Sequence, residues 1–244
     1  MTTEPLIEVH DDAAALATAV AGELLVRIAD AQSAGRVPAV VLTGGSIADA
    51  VHAEVARLGT SGEVDWSRVA LWWGDERFVA SGSEDRNAGQ ARAAFIDALG
   101  VPAEHVHEVP SSDDVASAEE AAERYAAELA EHGADGFEVL MLGVGPDGHV
   151  ASLFPGFDEL EEQERAVVAV HDSPKPPPDR VTLTFPTLGR ARSTWFLVSG
   201  EAKADAVARA LSPATTTPAQ TPASVPRGQV ETTWFLDRPA ASHL

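Results

Sequence analysis

A chain of 244 residues, 45% of them hydrophobic, has material for a large buried core and is long enough for one substantial α/β domain. Its formal net charge of -21, from 38 acidic residues against 17 Lys plus Arg, repels nucleic acid and anionic membranes, and it has no cysteine for a disulfide, a thiolate metal site or a thiol nucleophile. No stretch approaches the roughly 18 uninterrupted apolar residues of a membrane span, and the N-terminus MTTEPLIEVHDD lacks a basic region followed by an apolar one, so a cytoplasmic protein is expected.

The run at 6–9 alternates like a short strand, and Asp11 or Asp12 then caps an Ala/Leu/Val-rich helical segment ending near Gly35. Residues 38–43 form a continuous apolar run typical of a strand buried on both faces. They lead into Gly44-Gly45-Ser46 and a helical pattern through Leu58. Those glycines and the free N–H groups of the helix start fit an anion site; a plain turn with Ser46 as N-cap fits equally. A third strand at 69–73 ends in Gly74-Asp75-Glu76-Arg77, three charges where open parallel sheets place their ligand crevice, although a solvated loop would look the same.

A helical segment runs from about 83 to Leu99, with Asp85 or Asn87 as its cap, followed by a weak strand at 105–109 and an Ala/Glu-rich helix at 117–132. Residues 157–164 are acidic and expected to be exposed. A strand follows at 166–170, then a stiff proline-rich loop at 173–180 carrying Lys175 and Arg180, and an alternating, more exposed antiparallel-type strand at 180–185. Strands at 193–198 and 230–236 flank a helix holding Lys203 and an irregular stretch at 212–226; the tail AASHL should fray. Strands alternating with helices, without repeats or composition breaks, predict a single three-layer α/β/α domain over 1–244. Its sheet is mainly parallel, with a small antiparallel appendage near 166–185.

The chemistry concentrates at 137–156, FEVLMLGVGPDGHVASLFPG, a buried strand breaking into a glycine-rich loop and then a short helix. Gly143, Gly145 and Gly148 fit G-x-G-x-x-G, yet Pro155-Gly156 stops any helix within about two turns of His149, so a dinucleotide loop is excluded on context. No Walker motif and no H-x-x-x-H pair is present. His149, exposed by glycines at a strand end with Asp147 two residues away, can take a proton from water near neutral pH. The other seven histidines have little to recommend them.

Together these motifs resemble the 6-phosphogluconolactonase family. TGGS at 43–46, VDWSRVALWWGDERFV at 64–79, the Asp85-Arg86-Asn87 helix start, LMLGVGPDGHVASLFPG at 140–156, the Pro-Lys-Pro-Pro-x-x-Arg run ending at Arg180, and Gly200 to Lys203 occur in family order. The resemblance implies a Rossmann-like sandwich that hydrolyses 6-phosphoglucono-δ-lactone, in the oxidative pentose phosphate pathway, with no metal or organic cofactor. It implies His149 as general base, Asp147 and Asp75 as groups that orient or bind hydroxyls, and a substrate and phosphate site of Gly44, Gly45, Ser46, Arg77, Asn87, Arg180 and Lys203. The expected partner is a phosphorylated sugar lactone, with neither nucleic acid nor membrane, and the expected state a monomer or weak homodimer. Two departures stand out: Ile47-Ala48 where the family has Thr-Pro, and Ala88 where an aromatic is frequent. The related glucosamine-6-phosphate deaminases continue from the histidine into Phe-Asn-Glu-Pro, whereas this chain has Leu153-Phe154-Pro155-Gly156 and no carboxylate.

Overall fold

A computed structural model describes residues 4–133, 136–212 and 216–244. The strands in chain order are β1 (Leu6–His10), β2 (Ala39–Leu42), β3 (Ala70–Trp73), β4 (Asp75–Arg77), β5 (Phe137–Gly143), β6 (Val167–Val170), β7 (Arg180–Leu183), β8 (Ala191–Val198) and β9 (Glu231–Asp237). The helices are α1 (Ala13–Ser33), α2 (Ser46–Leu58), α3 (Asn87–Ala91), α4 (Asp97–Leu99), α5 (Ala118–His132), α6 (Phe185–Leu188) and α7 (Ala204–Ala210). A π-helical stretch, Arg92–Ile96, joins α3 to α4. Six strands form a parallel sheet in the order β1, β9, β8, β5, β2, β3; β4, β7 and β6 form a small antiparallel sheet beside it. The expected α/β/α layers with an antiparallel appendage are therefore present.

The two-residue period of the strands divides the core in two. On one face Val40, Leu42, Leu71, Trp73, Val139, Met141, Trp195, Leu197 and Phe235 meet the apolar sides of α1, α2 and α3. On the other Val41, Trp72, Leu140, Leu142, Phe196, Val198, Trp234 and Leu236 meet α5 and α7. The central strands β2 and β5 are covered on both sides, which is why the runs at 38–43 and 139–142 are continuous rather than alternating, whereas the edge strand β1 is largely exposed.

Several local expectations change. Asp12 is the cap of α1, accepting from Ala15 N–H at 2.9 Å. The N-cap of α2 is Gly45 at φ 99°, so Ser46 is its first helical residue and not the cap. Neither Asp85 nor Asn87 caps α3; the buried Glu76 carboxylate reaches across from β4 and accepts from Asn87 N–H at 2.9 Å and Ala88 N–H at 2.8 Å. Residues 105–109 form no strand, only one bridge from Val106 to Leu71, since Ala103–His105 is already a 3-10 turn. The loop after His149 does not become a helix, because Ala151 adopts φ 48° and Val150 bridges to Leu153. The 180–183 strand is antiparallel but fully buried, with Val181 and Leu183 in the core beside α5. Lys203 ends a 3-10 turn just before α7 rather than lying in the helix. In the acidic run at 157–164 Leu160 is buried. The irregular stretch includes 213–215, which lie outside the described residues. The tail folds back, with Ala240 buried and Ala241 N–H donating to the Asp237 carbonyl at 3.0 Å.

Candidate active site

In the parallel sheet β2 pairs with β3 on one flank and with β5 on the other, so the chain reverses direction across the sheet between β2 and β5. Crevices for ligands open at the C-terminal ends of strands at such a reversal. There, a cleft of about 200 Å³ is lined by Gly44, Gly45, Ser46, Asp75, Arg77, Asn87, Gly143, Val144, Gly145, His149, Ala151, Lys175, Arg180 and Lys203, among others. Every site residue expected from the sequence is on that wall except Asp147, which stands behind the imidazole.

Two glycines are required by close approach. A Cβ on Gly44 would sit 1.9 Å from Asn87 Oδ1, because the Asn87 side chain packs over the backbone as β2 leaves the sheet. A Cβ on Gly145 would sit 2.1 Å from both Cε1 and Nδ1 of His149, so this glycine is the floor under the ring. The Phe154 ring lies 4.6 Å from the imidazole. Asp147 Oδ1 is 2.6 Å from His149 Nδ1 and also accepts the His149 backbone N–H at 3.3 Å. Burial alone would raise the Asp147 carboxyl, but these bonds, the His149 charge and Lys175 outweigh it and hold it at about 2. An ionised Asp147 accepts a hydrogen bond from Nδ1–H, fixing the tautomer that leaves Nε2 as the basic nitrogen.

The cations come from distant segments. The β4–β7 register sets Arg77 directly opposite Arg180 and Asp75 opposite Thr182, all on one face, while Glu76 points the other way. Arg77 donates from Nη1 to Asn87 Oδ1 and to the Asp85 carbonyl, both at 2.6 Å. Asn87 donates in turn to the Asp75 carbonyl at 3.0 Å. The Glu76 carboxyl is raised by burial, against the opposing pull of Arg86 and of the N–H groups of Ala88, Asn87 and Arg77. Arg180 is buried and donates to the carbonyls of Lys175, Pro176 and Pro177. Lys175 and Lys203, the only lysines in the sequence, both reach the cleft. Both are lowered, Lys175 by burial and then by Arg180 and Arg77 against Asp147, Lys203 by burial and then by Lys175 against Asp237. Four cations gathered against their own repulsion in a chain of charge -21 give the cleft the chemistry to hold a multiply charged anion.

The site residues expected from the sequence do not include Lys175, Glu76 or Ser152. Lys175 stands on the proline-rich loop, and the scarcity of lysine is the signal for it. Glu76 stands in the charged run after β3, but its role as the anchor of α3, like the bond from Ser152 to Asp75, depends on partners on other segments and is not visible in the sequence.

A family model described as glucosamine-6-phosphate isomerases/6-phosphogluconolactonase matches residues 11–234. The chain belongs to this family. Among its relatives, proteins named 6-phosphogluconolactonase from Streptomyces coelicolor and Mycobacterium tuberculosis are 45% and 41% identical, the alignments covering 100% and 98% of this chain and 96% and 98% of theirs. The solved structure of 6-phosphogluconolactonase from Trypanosoma brucei superposes with a TM-score of 0.87 at 27% identity, covering 100% of both chains. A monomeric glucosamine-6-phosphate deaminase shares the fold at a TM-score of 0.82 and 18% identity, over 98% of this chain and 100% of that one. No helix among the described residues is long and apolar enough to cross a membrane.

Proposed function

We propose that the chain hydrolyses 6-phospho-D-glucono-1,5-lactone to 6-phospho-D-gluconate, the second step of the oxidative pentose phosphate pathway, with His149 as general base and no metal. The observation that carries this reading is that His149, backed by Asp147, opens on the same cleft as Arg77, Lys175, Arg180 and Lys203. A base able to activate water and a cluster able to hold a dianionic phosphate are the two things this reaction needs. The full-length relatives named for this activity support it.

In this mechanism neutral His149 accepts a water proton at Nε2 as the oxygen attacks the lactone carbonyl. Asp147 stabilises the imidazolium that forms. When the tetrahedral intermediate collapses, the bond from C1 to the ring oxygen breaks, and the imidazolium returns its proton to that oxygen. Four N–H groups of the 143–149 loop are already engaged: Gly143 with Thr43, Gly145 with the His149 carbonyl, Gly148 with the Gly145 carbonyl and His149 with Asp147. Pro146 has none, which leaves the N–H groups of Val144 and Asp147; Val144, on the cleft wall where Asp147 is not, is the candidate oxyanion donor. The start of α2 at Gly44-Gly45-Ser46 and the four cations take the phosphate.

The test is the disappearance of freshly generated lactone, measured against its spontaneous hydrolysis and in EDTA. The protein should accelerate it, and His149→Ala should lower kcat by about 10²–10⁴-fold while the fold is retained. No acceleration overturns the reaction, and loss of activity on chelation overturns the metal-free mechanism. Ammonia released from glucosamine 6-phosphate would replace it with a deaminase.

A further inference from the structure

Asp75 and Arg180 stand side by side in the cleft and do not close on each other. Both side chains are buried, yet Nη1 of Arg180 is 3.9 Å from Oδ2 of Asp75, beyond hydrogen-bond length. A buried Arg and Asp this close ordinarily collapse into a charge-assisted pair at about 2.7–2.9 Å. The same Oδ2 is taken by Ser152, whose Oγ donates to it at 2.7 Å. Ser152 is fully buried, and its own N–H is held by Thr182 Oγ1 at 3.2 Å, so the hydroxyl is fixed from behind.

Arg180 is restrained from the opposite side. Its Nε donates to the Pro177 carbonyl at 3.2 Å, and Nη2 to those of Lys175 and Pro176 at 3.0 and 3.3 Å. Three of the five N–H bonds of a guanidinium are spent in this way, and the Nη1 end is what remains.

We propose that Ser152 is a positioning residue: it tethers Asp75 away from Arg180, so that the Nη1 end stays open to a phosphate oxygen instead of being neutralised by the neighbouring carboxylate. The idea rests on reading the cleft as the site of a phosphorylated substrate. It also couples the two halves of the site, because Ser152 follows His149 by three residues and Arg180 begins β7. Asp75 is then a restrained counter-charge that the tether keeps from competing with substrate, rather than a ligand for sugar hydroxyls.

The experiment is calorimetric titration of the whole protein with inorganic phosphate, alongside KM and kcat for the lactone. In Ser152→Ala the carboxylate is released onto Arg180, so the phosphate Kd and the KM should both rise about tenfold, with kcat within about twofold. Ser152→Ala combined with Asp75→Asn removes the competing charge and should restore phosphate binding to within about threefold of the unaltered protein. A purely structural serine predicts no such rescue. Unchanged phosphate affinity in Ser152→Ala, or a double variant no tighter than the single one, overturns the tether. Should Ser152→Ala fail to fold, Asp75→Asn alone decides: phosphate binding equal to or tighter than that of the unaltered protein supports the tether, and weaker binding overturns it. Phosphate binding needs no turnover. A protein that binds phosphate but does not hydrolyse the lactone refutes the proposed reaction, with the tether still decided by the variants; absence of saturable phosphate binding refutes the tether.

Discussion

The orientation of one imidazole rests on a missing side chain. Gly145 lies so close under His149 that an added Cβ would also stand 2.5 Å from Asp147 Oδ1, and the Phe154 ring packs against the imidazole too. Gly145→Ala should therefore displace the ring or break its 2.6 Å bond to Asp147, and a shift of about 1 Å at a reacting group costs on the order of 10²-fold in rate. The expected result is a kcat lowered about 10²-fold with KM little changed, since the residues proposed to hold the phosphate lie on other segments. A kcat within twofold of the unaltered protein would mean that the ring needs no such floor. The sequence shows the residue types here: glycines around an Asp-x-His at a strand end announce an exposed histidine. It does not show that Gly145 serves steric clearance while Gly148, at φ 94°, serves the turn, because only the closed loop separates these roles.

At the scale of elements, α2 presents its N-terminus to the cleft and is anchored by a core that includes a histidine. His52 is 3% exposed, lies 5.2 Å from the Phe95 ring, and is pushed down to about 4 by burial. The unfolded chain therefore binds this proton between about pH 6.5 and 4 while the folded chain does not, so stability falls as pH drops through that window and is level above it. A shift of that size corresponds to about 3 kcal/mol by pH 4. Urea denaturation at pH 7 and pH 4.5 should show the loss, and His52→Phe should remove most of it; an equal loss in the variant would assign acid sensitivity elsewhere. The parallel strands and long helices were legible because each carries its own signal, a continuous apolar run or an amphipathic period. Elements defined by a distant partner were not. β4 reads as a charged loop until β7 pairs with it, with Arg77 opposite Arg180, and the cap of α3 is a glutamate eleven residues upstream of Asn87. The failed strand at 105–109 is the converse case, a run with some strand character that finds only one bridge.

Charge is the property of the whole molecule that acts most directly on the site. With a net charge of -21 the surface repels itself, yet both lysines and two arginines are drawn to one cleft. At about 10 mM salt the Debye length of roughly 30 Å spans much of the molecule, and at about 150 mM it shrinks to roughly 8 Å, so added sodium chloride should relieve the repulsion and raise Tm. One kcal/mol of relief corresponds to roughly 2–4 °C for a chain of this size. Phosphate should add a second, local effect, because an anion bound by the folded cleft and not by the unfolded chain stabilises by mass action, about 1.4 kcal/mol at ten times its Kd. At matched ionic strength the phosphate Tm should therefore exceed the chloride Tm. Phosphate also strengthens burial by general exclusion from protein surface, so the increment is site-specific only to the extent that a cleft variant loses it. Lys175→Ala should keep the chloride response, which belongs to the whole surface, and lose most of the phosphate increment, which belongs to the four cations. A variant that retained the full increment would place the anion outside the cleft, and an unaltered protein indifferent to both salts would remove the electrostatic argument altogether.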